Sequence, residues 1–336
     1  MKRRAFLDRA PGERRGVVLL DGRPEHLIIE RDFEAARARL GEVRCGRIVR
    51  VAPGFAAAFV DLGEGLEAWL KTAGFPPVEG AAVELEITAE ARGGKLAQAA
   101  YRGPATGTPG LLSPAPPLEA VLQRLAPGPL TDGRVAREAA DAAQDLALAR
   151  SVAIGQGVTL TIEPTRALVA IDVDLGEASR PRGAAAAAHL PAVREAARLL
   201  RLKGLGGLAY IDLAGGGVGQ GVLDAAEAAF AEDGPAARVR PIQGLGALAV
   251  TRPHGRTPVA ERLLDGSGQP TPETRALVAA RAMADAATAD PGAQVVARAS
   301  AALAERLAPL AELMGPRFAV EPAIEIGRPD PDIIAR

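Results

Sequence analysis

The chain has one cysteine, Cys45, in 336 residues. That excludes a disulfide within the chain and a zinc site built from the cysteines of a single copy. Aromatic residues make up only 3% of the composition, with a single tryptophan, so each ring carries weight. Lysine is scarce: Lys2, Lys71, Lys95 and Lys203 are the only four among 40 basic residues. Genomic base composition can produce such a bias, and no function follows from it. Net charge is −1, so no overall positive excess attracts a polyanion, although catalytic carboxylates would themselves lower the sum. No apolar run is long enough to span a bilayer. The basic start MKRRAFLDRAPGERRG is not followed by an apolar stretch, so it does not read as a secretory signal. The expectation is a cytoplasmic protein without a membrane partner. With 48% hydrophobic and 24% charged residues, the chain can bury the cores of two or three compact units.

Two short strands carry the acids that stand out. ALVAIDVDLG places Asp172 and Asp174 on one face, because side chains two apart in a strand point the same way, and turns Ile171 and Val173 into a core. Forty residues after Asp172, Asp212 ends a second strand, GGLAYIDL. Three carboxylates on two buried strands are costly unless positive charge sits between them. Magnesium, a hard cation that takes oxygen ligands, meets that need and points to metal-assisted phosphodiester chemistry. The same acids read equally well as turn caps or arginine partners.

Turn and periodicity signals divide the chain into five stretches. Residues 1–35 read as a hairpin turning near Asp21 and Gly22. Residues 36–102 hold short strands (GRIVRVAPG, AAAFVDLG, EAWL, AAVELEITAEA) that suggest a small closed barrel. Residues 103–150 begin with a proline- and glycine-rich linker and continue as two helices, LEAVLQRL and VAREAADAAQDLALAR. Residues 151–258 alternate strands and helices, which predicts an α/β unit with strands buried on both faces. Its long helix, ending near Gly204, Gly206 and Gly207, carries Leu190, Val193, Ala197 and Leu200 as an apolar stripe. Residues 259–336 read as two helices and a strand pair, FAVEPAIEIG.

Taken in order and spacing, GRIVRVAPGFAAAFVDLGEGLEAWL, TIEPTRALVAIDVDLG and AARLLRLKGLGGLAYIDL resemble the ribonuclease E/G family of bacterial endoribonucleases. The resemblance implies a multidomain α/β fold. Residues 36–102 correspond to an S1-like OB barrel that binds RNA, and 151–258 to a DNase I-like catalytic subdomain. Residues 1–35 and 103–150 correspond to a fragment of an RNase H-like region with a reduced sensor, and 259–336 to a small C-terminal α+β domain. The family's catalytic magnesium ligands match Asp172 and Asp212, and Asp174 occupies a catalytic position that usually holds an assisting asparagine. The RNA-stacking aromatics match Phe59 and Trp69, and a basic contact matches Lys95. Implied with these is Mg²⁺-dependent hydrolysis of single-stranded RNA to a 5′-phosphate and a 3′-hydroxyl, in ribosomal RNA processing or messenger decay.

The chain also departs from the family. LDGSGQPTPE, near residues 264–272, has no cysteine for the zinc link that joins protomers, so any homo-oligomer forms without it. The segment between barrel and catalytic unit is short, leaving most of the 5′-monophosphate sensor out. AGGG follows Leu213 where the family has a further acidic position. Asp174 in place of the family's asparagine and the AGGG stretch support a rival reading, an RNA-binding protein with a degenerate site; the weak charge signal supports a third, a metal-binding assembly partner that does not touch RNA.

Other residues divide between functional and structural roles. A surface ring at Trp69 could stack on an unpaired base, whereas Phe59 reads equally as barrel core. Arg198, Arg201 and Lys203 read as a solvated helix face or as phosphate contacts, and Arg252, following a strand, as an RNA contact. His189 and His254 offer possible bases or ligands, but a histidine at a helix start or in a loop is more often structural or merely exposed. GLGGLA lacks the strand-then-helix context of a dinucleotide loop, and Cys45 reads as a small apolar residue of the barrel.

Overall fold

A computed structural model describes every residue except 1, 33, 35, 156, 177–183, 214–217 and 324–330, and of 184–187 the backbone alone. Strands β1 (Arg3–Ala10), β2 (Glu13–Leu20) and β3 (Arg23–Arg31) form an antiparallel meander. The β2–β3 hairpin turns where the sequence indicates: Asp21 and Gly22 take φ of 49° and 84°, the left-handed conformation of a tight two-residue turn. A third strand precedes that hairpin, because Arg3, Arg4, Asp8 and Arg9 mask the apolar signal of β1.

Five strands close the barrel: β4 (Val43–Ala52), β5 (Ala57–Gly63), β6 (Leu66–Lys71), β7 (Ala82–Ala89) and β8 (Ala97–Pro104). They pair in the order β4-β5-β6-β8-β7, and β7 returns to β4. Ile48, Val60, Leu62, Leu70, Leu85 and Ile87 fill it, all essentially inaccessible to solvent. Each such side chain stabilises the fold by about 1.5–3 kcal/mol. The glycine- and proline-rich stretch read as a break holds a short strand, β9 (Gly110–Ser113), paired to β4.

Helix α1 (Leu118–Leu125), strand β10 (Leu130–Thr131) and helix α2 (Gly133–Leu148) then return to the first meander. β10 pairs parallel with β1. α1 packs on Ala5, Leu7 and Val18, whereas Phe6, Val17 and Leu27 on the opposite face join the core that includes Ala136, Ala140 and Ala143 of α2. This first sheet is therefore buried on both faces.

The second sheet carries the acids. It comprises β11 (Ser151–Gly155), β12 (Val158–Pro164), β13 (Val169–Asp174), β14 (Gly207–Leu213), β15 (Arg238–Ile242) and β16 (Ala247–Arg252), in the order β11-β12-β13-β14-β16-β15. Helix α3 (Ala184–Lys203) is the crossover between β13 and β14, the one parallel pair in this sheet among the described residues. Helix α4 (Gln220–Ala231) links β14 to β15. The expectation of strands buried on both faces is corrected here. Ile171, Val173, Ile211, Leu248 and Val250 share one core with residues of α3 and α4, while alternate positions of β13 are exposed. A sheet made mostly of antiparallel pairs can leave one face open to water.

The C-terminal unit contains α5 (Val259–Leu263), α6 (Pro272–Ala289), β17 (Val295–Ala299), α7 (Ala301–Met314), β18 (Phe318–Pro322) and β19 (Asp332–Ala335). β18 takes up the first half of the expected strand pair and lies against β17; the second half falls within 324–330, outside the described residues. No described helix is long and apolar enough to cross a membrane.

Candidate functional site

Asp172 and Asp212 are register partners across β13 and β14. Neighbouring strands lie about 4.8 Å apart, so the two carboxylates stand side by side. Both are exposed on the open face, which corrects the picture of acids on buried strands: water solvates them, and no desolvation cost demands a counter-ion. β13 and β14 are held parallel by the α3 crossover, whose Val193, Ala196, Ala197 and Leu200 pack beneath them. The same row continues through Thr161 to Ser151, whose hydroxyls are 2.9 Å apart.

Asp174 faces the same side two residues further along β13, roughly 7 Å from Asp172. Its Oδ1 accepts a hydrogen bond from the Gly176 N–H at 2.9 Å. Among the described residues no three His, Cys, Asp or Glu side chains gather as a metal cluster. The Asp172–Asp212 pair alone fits magnesium, which retains several waters and needs one or two carboxylates. The AGGG stretch after Leu213 lies outside the described residues.

On the barrel exterior, strand register sets Arg50, Phe59, Trp69 and Gln98 in one row across β4, β5, β6 and β8. Phe59 and Trp69 meet edge to face with centroids 4.9 Å apart. Neither belongs to the apolar filling of the barrel, so the core alternative for Phe59 does not hold. Two members of this surface were not found in the sequence. The Arg50 guanidinium lies 4.1 Å from the Phe59 ring centre, and Phe55, 78% exposed, sits 6.0 Å from Trp69. The signal for Phe55 was its place in PGF, a turn that leads into the strand bearing Phe59.

The remaining basic residues lie elsewhere. Lys95 is exposed in a tight turn closed by Arg92, and Gly93 of that turn donates to Glu261 at 2.7 Å. Arg252 pairs in register with Gly207, at the opposite end of β14 from Asp212 and roughly 16 Å away along the strand. Its guanidinium, 11% exposed, donates to the carbonyls of Leu200 and Leu205 and to Asp233 at 2.7 Å. Arg252 thus ties the end of α3 to the end of α4, and the structure does not bring it to the acidic pair.

Arg198, Arg201 and Lys203 are neither a solvated face nor phosphate contacts. α3 is wedged between the two sheets, so it has no free face over these positions. Arg198 pairs with Glu195 and donates to the Pro24 carbonyl; Arg201 pairs with Glu25 at 3.0 Å. The Lys203 Nζ donates to the Ala147 carbonyl at 2.8 Å, at the end of α2, and burial lowers its pKa to about 8. His189 is buried, and the His254 ring packs against the chain at Gly206 and Gly207, where an added Cβ would come within 2.9 Å of it. Cys45 is buried on β4.

No curated protein matches the chain. The family model of the ribonuclease E/G family matches residues 135–254. This segment runs from α2 through β16 and includes Asp172, Asp174 and Asp212. The match supports assigning the chain to the ribonuclease E/G family.

Proposed function

We propose that the chain is a Mg²⁺-dependent endoribonuclease that hydrolyses single-stranded RNA. The observation that carries this reading is the side-by-side placement of Asp172 and Asp212 on an open sheet face, inside the segment matched by the ribonuclease E/G family model. These two carboxylates would hold the ion, and their exposure leaves room for its waters and for a phosphate. When bound, magnesium supplies Lewis-acid stabilisation of charge on the phosphate oxygens and a more acidic water. Asp174 presents a third negative charge beside the path of the phosphate and assists by orienting groups there. On the barrel, Phe59 and Trp69 offer rings to unpaired bases, a contact that tolerates many sequences and favours RNA whose bases are splayed. Attack by water leaves a 5′-phosphate and a 3′-hydroxyl, products suited to ribosomal RNA processing or messenger decay in the cytoplasm.

A second reading, RNA binding without cleavage, is favoured by Asp174, whose added negative charge on the same face opposes a phosphate beside the pair. Incubating the purified protein with labelled single-stranded RNA, in Mg²⁺ and in EDTA, separates the two. Cleavage that disappears in EDTA and in Asp212→Asn supports the nuclease; tight binding with intact RNA in Mg²⁺ supports the binder.

A further inference from the structure

The open face of the second sheet is divided by charge. Glu163, Asp172, Asp174 and Asp212 occupy its β12–β14 half. At the β15 edge stand Arg238 and Arg240, both exposed, with buried Val239 between them pointing to the helices. Most arginines of this chain are spent on carboxylates, but these two are not. Arg240 donates to the Val239 carbonyl at 3.0 Å, and Arg238 to the carbonyls of Pro235 and Ala237. Among the described residues neither forms a salt bridge. Register places Tyr210, Ala249 and Arg240 in one row, adjacent to the row of the acidic pair. Ala249 lies between Tyr210 and Arg240 in that row, and its small side chain leaves room for a ligand to pass from one to the other. Two strand spacings and one pleat separate Asp212 from Arg240, about 12 Å between backbones.

We infer that single-stranded RNA engaged at Asp172 and Asp212 crosses this face towards β15, with a base on the Tyr210 ring and its backbone phosphates on Arg240 and Arg238. The inference rests on the nuclease reading for its starting point and adds the direction of the strand. Charge sets that direction: towards β12 the strand would meet Glu163, whose charge is already paired with Arg150, whereas towards β15 it meets two guanidinium groups with no carboxylate partner among the described residues. A tyrosine face accepts any base, and arginine holds phosphate without reading sequence, so the track is blind to sequence.

Fluorescence anisotropy of a short labelled single-stranded RNA in EDTA, over a series of salt concentrations, tests the track without requiring cleavage. Arg240→Gln should flatten the slope of log affinity against log salt by about 0.7, the loss of one phosphate contact, and Arg240→Lys should restore it. Tyr210→Ala should weaken binding by about 5-fold or more, and Tyr210→Phe should not. The same variants should raise KM in the Mg²⁺ cleavage assay. Wild-type slope in Arg240→Gln together with wild-type affinity in Tyr210→Ala would overturn the track, even if the protein cleaves RNA. If the binding effects appear while the wild type fails to cleave, the track stands and the nuclease reading falls.

Discussion

Glu90, just beyond β7, accepts hydrogen bonds from both the backbone N–H and the hydroxyl of Thr257, at 3.0 and 3.1 Å. The two residues join the barrel to the segment that follows the second sheet. Glu90 is buried and also accepts from Leu40 N–H at 3.2 Å and from Arg37 at 3.0 Å. Burial opposes its ionisation, but Arg37 and the N–H groups of Thr257 and Leu40 outweigh that and hold its pKa below the ordinary carboxylate value. Glu90→Ala should therefore destabilise the protein by about 1–3 kcal/mol, since it leaves the Thr257 and Leu40 N–H groups without their acceptor and Arg37 with Glu34 alone. Glu90→Gln should cost less, because its amide oxygen still accepts from Thr257. Denaturant midpoints measure both; equal stabilities for Ala and wild type would show that this junction does not hold the barrel.

Asp174 and Asp212 should respond differently to the same change. Asp212→Asn removes one of two paired carboxylates and should abolish Mg²⁺-dependent cleavage. Asp174→Asn keeps an oxygen able to accept from Gly176 N–H and removes a charge beside the phosphate path, so cleavage should persist within several-fold. Single-turnover rates for the two variants check this. Loss of cleavage in Asp174→Asn would make the third carboxylate essential.

The acidic pair was legible because strand alternation fixes which residues share a face, and IDVD and YIDL each put a carboxylate outward between buried neighbours. Its exposure was not legible. Whether a face is covered depends on where helices land, and both helices of this unit pack on the same side. Strands β8, β11 and β15 were missed for local reasons: AQAAYRGP holds no β-branched residue, and SVAIG and RVRPI are only 5 residues long, the second interrupted by arginine and proline. The role of α3's basic residues was missed because a helix wedged between two sheets buries polar positions that a single-face pattern assigns to solvent.

The aromatic surface of the barrel should bind RNA through more rings than the two found in the sequence. Phe59→Ala and Trp69→Ala should each weaken single-stranded RNA binding by about 1–3 kcal/mol, and Phe55→Ala should join them. Phe55 fills no part of the barrel core, so its truncation should leave the melting temperature unchanged. Arg50→Gln should reduce the salt slope as well as affinity. Anisotropy titrations of the four variants decide the matter, and an unchanged affinity in Phe55→Ala would confine the surface to Phe59 and Trp69.

Arg201 tests the opposite case, a basic residue of the matched segment with a structural role. It pairs with fully buried Glu25 and also reaches Asp233 at 3.6 Å. Arg201→Ala should destabilise by about 3 kcal/mol or more, by leaving buried carboxylates short of a partner. RNA affinity measured well below the melting temperature should not change. A loss of affinity with unchanged melting would return Arg201 to the RNA contacts.

His254 predicts how stability varies with pH. Burial first, and then the positive charges of Arg92, Lys95 and Arg252, lower its pKa from 6.5 to about 4. His26 is lowered to about 4 as well, again chiefly by burial. Both imidazoles are therefore neutral in the native state where the unfolded chain already binds protons. The unfolded state gains protons first as pH falls, so native stability should decline from about pH 6.5 to about pH 4, and these groups should add no further loss below that. Glu13, Glu25 and Glu90, whose pKa values are lowered, respond only below the ordinary carboxylate range and do not shape the upper part of this window. Urea unfolding at pH 7, 6 and 5 measures the slope, and His254→Gln should flatten it. A variant with the wild-type slope would mean that His254 carries its proton in the folded protein, which the close approach of Gly206, Gly207 and three cations argues against.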